Sequence, residues 1–370
     1  MVWALAVAFA SGCGAEHPGE PGDAPKASAE RVESAVREAA LASARVWQSP
    51  ALPIAEADLA LNPPGGLGPD DEVSCRFNPK KVGGTTPKFN CDLPGGETIK
   101  VKYGRGNPEL NAEVAATRLL VALGFHADRM FVVRRVRCAG CPTFPFQSLR
   151  CLDRFDVKAV CFPGGVDYDR VTDFDAAVVE RRIEGRVIEA TEDQGWGWYE
   201  LNKIDPARGG SPRTEVDAFR LMAIFLAHWD NKDANQRLIC PAGAEGSAGA
   251  CTAPIAIMQD LGATFGPTKV NLHNWRQGRI WKDGAGCVVS MEHLPWGGGT
   301  FPEARISEAG RQHLLGLLQQ LSESQLRDLF ESSGITSLEQ VNAESRRVEA
   351  WIAAFKDRLK QIRDAGPCSS

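Results

Sequence analysis

His228-Trp229-Asp230-Asn231-Lys232-Asp233-Ala234-Asn235 is the stretch on which the reading of this chain turns. It closes an apolar, helix-like run from Ala218 to Ala227, and about 25 residues later Gln259-Asp260-Leu261-Gly262 follows. Reduced to pattern, the first is H-x-D-x-K-x-x-N and the second D-x-G. One reading is structural: Asp and Asn cap a helix end and shape a turn, with Asp260 in an ordinary strand-turn. The other is chemical: a carboxylate, an ammonium and an amide share one short loop, and a second carboxylate stands before a flexible glycine. What lies upstream separates the two.

Lys80-Lys81-Val82-Gly83-Gly84-Thr85-Thr86-Pro87-Lys88-Phe89 carries paired glycines. Such glycines let backbone amides approach phosphate oxygens, and Thr85, Thr86 and Lys88 can add side-chain contacts. A plain hairpin turn is the competing reading. From Glu97 to Tyr103, the residues Ile99, Val101 and Tyr103 alternate with Thr98, Lys100 and Lys102. This predicts a strand with both lysines on one face, which a merely solvent-facing strand also explains. Asn107-Pro108-Glu109 opens a helix, with proline near its first position and acid in its first turn. It runs to about Leu123 and is closed by Gly124, with Val114, Leu119, Leu120 and Leu123 on its apolar side.

Glycine loop, lysine strand, glutamate helix, H-x-D-x-K-x-x-N and D-x-G follow in that order from Lys80 to Phe265, and the series resembles the protein-kinase-like fold. The glycine loop is not G-x-G-x-x-G and resembles the short loop of HipA-like kinases. In style the chain is most similar to HipA-like and atypical secretory kinases. The resemblance implies a two-lobed α+β fold. Its N-lobe is small and mostly β with one helix, and its C-lobe is larger and mostly helical. It further implies ATP with Mg²⁺ or Mn²⁺, and transfer of the γ-phosphoryl group to a hydroxyl of an acceptor the sequence does not name. Asp230 is then the base, Lys232 a contact to the moving phosphoryl group, and Asn235 and Asp260 the metal ligands. Lys102, with Lys100 as fallback, holds the nucleotide phosphates under Gly83, Gly84, Thr85, Thr86 and Lys88. Glu113 is the candidate ion-pair partner of the strand lysine, and Glu109 lies on the same face one turn earlier. No A-P-E stands in 263–300, where Thr264, Phe265, Gly266, Lys269 and Gly297-Gly298-Gly299 fall. Acceptor docking therefore differs from that of eukaryotic protein kinases. Two rivals are a pseudokinase acting as a nucleotide-binding module and a disulfide-stabilised surface protein without a nucleotide site.

The chain has 370 residues, 43% hydrophobic and 24% charged, with net charge −5, so nucleic acid is not an expected partner. Val2 to Ala10 is apolar and Ala10-Ser11-Gly12-Cys13 resembles a bacterial lipobox, though Ala occupies position −3 and no Lys or Arg precedes Lys26. Residues 1–13 thus read as a lipoprotein signal-like segment with a membrane anchor at Cys13. With Cys13 set aside, ten of the 11 cysteines remain, in close pairs such as Cys75/Cys91, Cys138/Cys141, Cys151/Cys161 and Cys240/Cys251. That pattern suggests disulfides and export to the periplasm or cell surface. Zinc at Cys138, Cys141, Cys151 and Cys161 is the rival. An exported kinase needs ATP from outside, another phosphoryl donor, or another reaction.

The remaining layout follows. Residues 14–70 give a tether, one helix over Arg31 to Gln48, and a Pro/Gly-rich loop. Residues 71–193 form the N-lobe, with strands over Met130 to Val136 and Ala177 to Ile188 and a cysteine-containing insertion at 138–165. Residues 194–370 form the C-lobe. Trp196 and Trp198 read as packing residues, although they could flank an adenine. Ser211-Pro212 starts the helix delivering His228, Ile255 to Met258 is the strand leading to Asp260, Ser322 opens a capping box, and Ser337 starts a last helix ending near Asp364.

Overall fold

A computed structural model describes residues 33–63, 66–104, 106–190, 195–267, 269–294, 299–338 and 342–368. The signal-like segment, Cys13, the tether 14–29 and Gly297-Gly298 lie outside these.

The predicted helix over Arg31 to Gln48 is shorter: α1 is Ser34–Ala42. Beyond it the chain is drawn into extended pairing. Arg45 N–H donates to Pro254 O at 2.9 Å and Arg45 O accepts from Ala256 N at 2.9 Å. Gln48 N–H donates to Gly124 O at 3.0 Å, and the Trp47 indole donates to Leu123 O at 2.7 Å. These two residue pairs thus bridge two distant parts of the chain. Leu41, Ala44, Val46, Ile54 and Leu59 are buried in the largest core. From Leu41 to Leu59, residues read as the end of a helix and a Pro/Gly-rich loop are therefore an integral part of the packing, starting well before Asp71.

Five strands close into a barrel in the order β1-β2-β3-β5-β4. They are β1 (Glu72–Asn78), β2 (Lys88–Asp92) and β3 (Thr98–Lys102), then, after α2 (Pro108–Ala122), β4 (Arg129–Ala139), and later β5 (Val171–Arg181). Alternation puts Val73, Cys75, Phe77, Phe89, Cys91, Ile99, Val101, Phe131, Val133 and Val179 inside. Closure comes from β1 and β4, which pair in parallel with Cys75 opposite Cys138. In the β4–β5 pairing Ala176 adopts φ 50° and is skipped, while beside it Arg134 and Arg135 both donate backbone N–H to Asp71 O, just before β1.

The insertion forms α3 (Pro145–Phe155) and α4 (Lys158–Cys161), so the stretch read as the N-lobe contains three helices where one was expected. Disulfides join Cys75–Cys91, Cys138–Cys141, Cys151–Cys161, Cys240–Cys251 and Cys287–Cys368. The four cysteines of the zinc alternative are consumed in two of these bridges. Helix α2 works on two sides. Leu110 and Val114 pack on Met130 and Val178 of the barrel, while Ala112, Ala115, Ala116, Leu119 and Leu120 face the larger core.

Past β5 the predicted strand to Ile188 breaks, and β6 (Gly185–Val187) joins another sheet. α5 (Arg213–Leu226) is buried along most of its length, and β7 (Gln236–Pro241) and β8 (Ile255–Met258) complete the sheet β6-β7-β8. α6 (Leu272–Gln277), β9 (Val288–Val289), β10 (Ala304–Arg305), α7 (Glu308–Leu318), α8 (Glu323–Ser332) and α9 (Val348–Asp364) finish the chain. Ser322 and Gln325 form the expected capping box on α8. The last helix begins at Val348 and not Ser337, where a single 3-10 turn over Ile335–Ser337 stands instead. Trp196 and Trp198 are fully buried, with Trp198 stacked at 5.3 Å on Phe219. The whole is a mixed α+β fold.

Candidate active site

The loop 228–235 starts where α5 is stopped. Ala227 takes a left-handed conformation, φ 55°, and His228 N–H reaches back to Ala223 O at 3.0 Å. The last carbonyls of α5 stay satisfied because buried Arg358 donates to Ile224 O at 2.8 Å and Phe225 O at 2.9 Å. A guanidinium at a helix C-terminus also complements the dipole there. Asn231 pins the loop: its Oδ1 accepts from Phe301 N at 3.0 Å and its carbonyl accepts from the Thr300 hydroxyl at 3.0 Å. Asn235 turns its Nδ2 back to donate to Asp230 O at 2.7 Å. The Asn235 carbonyl accepts from Gln259 N at 2.9 Å, so the loop is tied to the residue before Asp260. Asp260 itself has φ 54°. Burial pushes the neighbouring His228 imidazole down to about 4, so it stays neutral.

Above this floor hangs the β3 face of the barrel. Lys102 Nζ meets Glu113 Oε1 at 2.6 Å and Glu180 Oε2 at 2.9 Å. All three are buried, and Lys100 pairs with the other oxygen of Glu180. The register explains this: Lys100 lies opposite Glu180 and Lys102 opposite Lys88. Burial opposes the charge on Lys102, but the two glutamates outweigh it and raise the ammonium well above its ordinary value. Burial likewise opposes charge on Glu180, yet Lys100 and Lys102 hold it below its ordinary range. Glu113 has one ammonium against Asp260 and Glu180, and burial pushes it up to about 7. Asp260 would be raised by burial, but Lys102 and Lys88 keep it below its ordinary value.

Between floor and barrel runs a cleft of about 530 Å³. Gly83, Gly84, Lys88, Lys102, Lys232, Asn235 and Asp260 all line it, and Glu113 stands behind Lys102. Asp230 sits beside it, both carboxylate oxygens 3.0 Å from Lys232 Nζ. Thr85 is exposed and Thr86 hydrogen-bonds Glu109, so neither threonine lines the cleft. Glu109 is thereby engaged elsewhere. It also lies under Gly262, where an added Cβ would sit 3.1 Å from Glu109 Cβ, a close approach that favours glycine in D-x-G.

Sequence reasoning missed Glu180, Arg182, Arg237 and Gln259, all of which line the cleft. Glu180 had a signal: it is the one acid in Ala177-Val178-Val179-Glu180, where strand parity places it with Val178 on the outer face. It also missed Gly195, at φ 72°, where a Cβ would strike Asp233 O at 2.1 Å. Buried Arg37 holds that turn, donating to Gly195 O at 2.7 Å and to Glu200 at 2.8 Å.

No protein-family profile and no curated protein matches the chain. Among solved structures, that of a Helicobacter pylori proinflammatory kinase, CtkA, is similar with a TM-score of 0.43 and 10% identity, over 80% of this chain and 97% of that one.

Proposed function

We propose that this chain is an atypical, protein-kinase-like phosphotransferase that moves the γ-phosphoryl group of ATP to a hydroxyl. The observation that carries this is Lys102. It is a buried ammonium fixed between Glu113 and Glu180 at the edge of a cleft whose floor presents Asn235 and Asp260. Eight basic side chains and two acidic ones line that cleft, the electrostatics a polyphosphate needs.

Asn235 and Asp260 fit a hard divalent cation. Both offer oxygen, and Asp260 is held ionised by the two lysines near it. Mg²⁺ or Mn²⁺ bound there would neutralise charge developing on the phosphates. The chain's own residues do the rest. Lys102 and Lys88 bind the phosphate chain, with Gly83 and Gly84 admitting it close to the backbone. Asp230 takes the acceptor's proton as the new oxygen–phosphorus bond forms and the β,γ-bridging bond breaks. Lys232, on the same loop, swings from Asp230 to the moving phosphoryl oxygens. Asp260→Ala is expected to weaken Mg-ATP binding at least about tenfold, roughly 1.4 kcal/mol, with the fold retained. Asn235→Ala should weaken it less, because an amide carries no net charge. Titration calorimetry with and without Mg²⁺ or Mn²⁺ measures this, and wild-type affinity in Asp260→Ala would sink the metal assignment.

The proposal includes an exported protein anchored to a membrane by lipid on Cys13. Five disulfides are compatible with export, and no helix among the described residues is long and apolar enough to cross a membrane. Intact-mass measurement under non-reducing conditions should find an acylated Cys13 and ten paired cysteines in the exported protein. Ten free thiols, or an unprocessed start, would exclude it.

A further inference from the structure

A nucleotide base is normally held by apolar or aromatic faces. This cleft offers almost none: Val82 and Ala234 are its only apolar side chains other than glycine, among the described residues. The tryptophans that could stack a ring, Trp196 and Trp198, are completely buried against Phe219 and unreachable. The cleft is lined instead by charged side chains that include Arg182 and Arg237.

The cationic side is over-supplied. Lys102 and Lys100 have carboxylate partners, but Lys88 does not, although it is only 8% exposed and lines the cleft. Among the described residues it makes no ion pair, and Asp260 acts on it only at longer range. A nearly buried ammonium without a counter-ion is costly unless an anion arrives. Lys88 Nζ lies 3.0 Å from where a Cβ at Gly84 would stand, so ammonium and glycine loop converge on one point. Arg182, two residues past Glu180, lines the same cleft; it is exposed and makes no ion pair among the described residues, and a guanidinium matches phosphate oxygens in pairs.

We infer that the donor is recognised by its phosphate chain and not by its base, so that nucleoside triphosphates of any base and inorganic polyphosphate are equivalent ligands. The inference rests on the phosphotransferase reading and narrows its donor. For an exported protein, which needs ATP from outside or another phosphoryl donor, it admits inorganic polyphosphate as that donor.

Calorimetric titration of the full chain with Mg²⁺ tests it, using ATP, GTP and inorganic tripolyphosphate. The expected dissociation constants agree within about tenfold, roughly 1.4 kcal/mol. ATP binding more than tenfold tighter than tripolyphosphate or GTP overturns the inference and leaves the phosphotransferase reading standing. Absence of binding by all three overturns both. Lys88→Met should weaken all three by the same factor, at least tenfold, and so should Arg182→Gln, whose exposed position leaves folding unaffected. A loss confined to ATP in either variant overturns the inference. Melting of each unliganded variant serves as the folding control.

Discussion

Asp230→Asn is expected to lower phosphoryl transfer by about 10²–10⁴-fold, the usual worth of a positioned general base, with Mg-ATP affinity little changed. Asparagine keeps the shape of the side chain but cannot take the acceptor's proton. The loop should survive, because the group that Asn235 binds is the backbone carbonyl of Asp230, at 2.7 Å. Lys232 loses an ion pair, yet its side chain is 41% exposed, and such pairs are worth at most about 1 kcal/mol. The nucleotide should be held from the other side, by Lys102 and Lys88, so rate and affinity separate. The measurement is ³²P transfer to the protein itself or to an extracellular extract, beside a binding titration. Transfer undiminished in the variant would reject Asp230 as base. Binding in the wild type without transfer to any acceptor would favour the inactive binding module.

Lys102→Met should destabilise the fold by about 3–5 kcal/mol, because removing one partner of a buried ion network leaves the others uncompensated. Glu113 loses its ammonium altogether, whereas Glu180 keeps Lys100. The sign of the pH dependence follows. In the wild type Glu113 rises from 4.5 to about 7, so its contribution is present below 4.5 and is lost as pH rises toward 7. Glu180 is depressed, so its contribution is present above its ordinary 4.5 and is lost as pH falls below that. Without Lys102 both carboxyls shift upward, and the variant's deficit grows with pH. Denaturant unfolding at pH 5 and pH 8 reads this directly. An equal deficit at both values would show that packing, and not charge, is what Lys102 supplies.

The helix that leads into the Asp230 loop, the strand of Lys100 and Lys102, and the helix of Glu113 were legible because each has a local cause. These are apolar periodicity, alternation, and Asn107 with Pro108 at a helix start. Glu113 over Glu109 was decidable only in three dimensions, since both share one helix face. Barrel closure was not legible at all. The β1–β4 pairing joins residues about 60 apart, and nothing local in Glu72–Arg76 announces a parallel partner. Residues 49–70 were read as loop because prolines signal irregular backbone, and irregular backbone can still be buried: Leu59 and Ile54 are each 3% exposed. Glu180 was missed because strand reasoning follows the apolar residues and treats a lone acid as solvent-facing.

Arg45 and Trp47 sit two residues apart, yet one is hydrogen-bonded to the strand before Asp260 and the other to the end of the Glu113 helix. Mechanically this is a short tie rod between the sheet that carries Asp260 and the helix that carries Glu113. The helix is clamped at further points, with Arg118 donating to the Ser332 hydroxyl at 2.6 Å and Asn111 to Ser333 O at 2.8 Å. Such a helix has no free stroke: swinging it outward would tear bonds on both of its flanks at once. Withdrawing Glu113 from Lys102 on this helix would therefore cost all of these hydrogen bonds together.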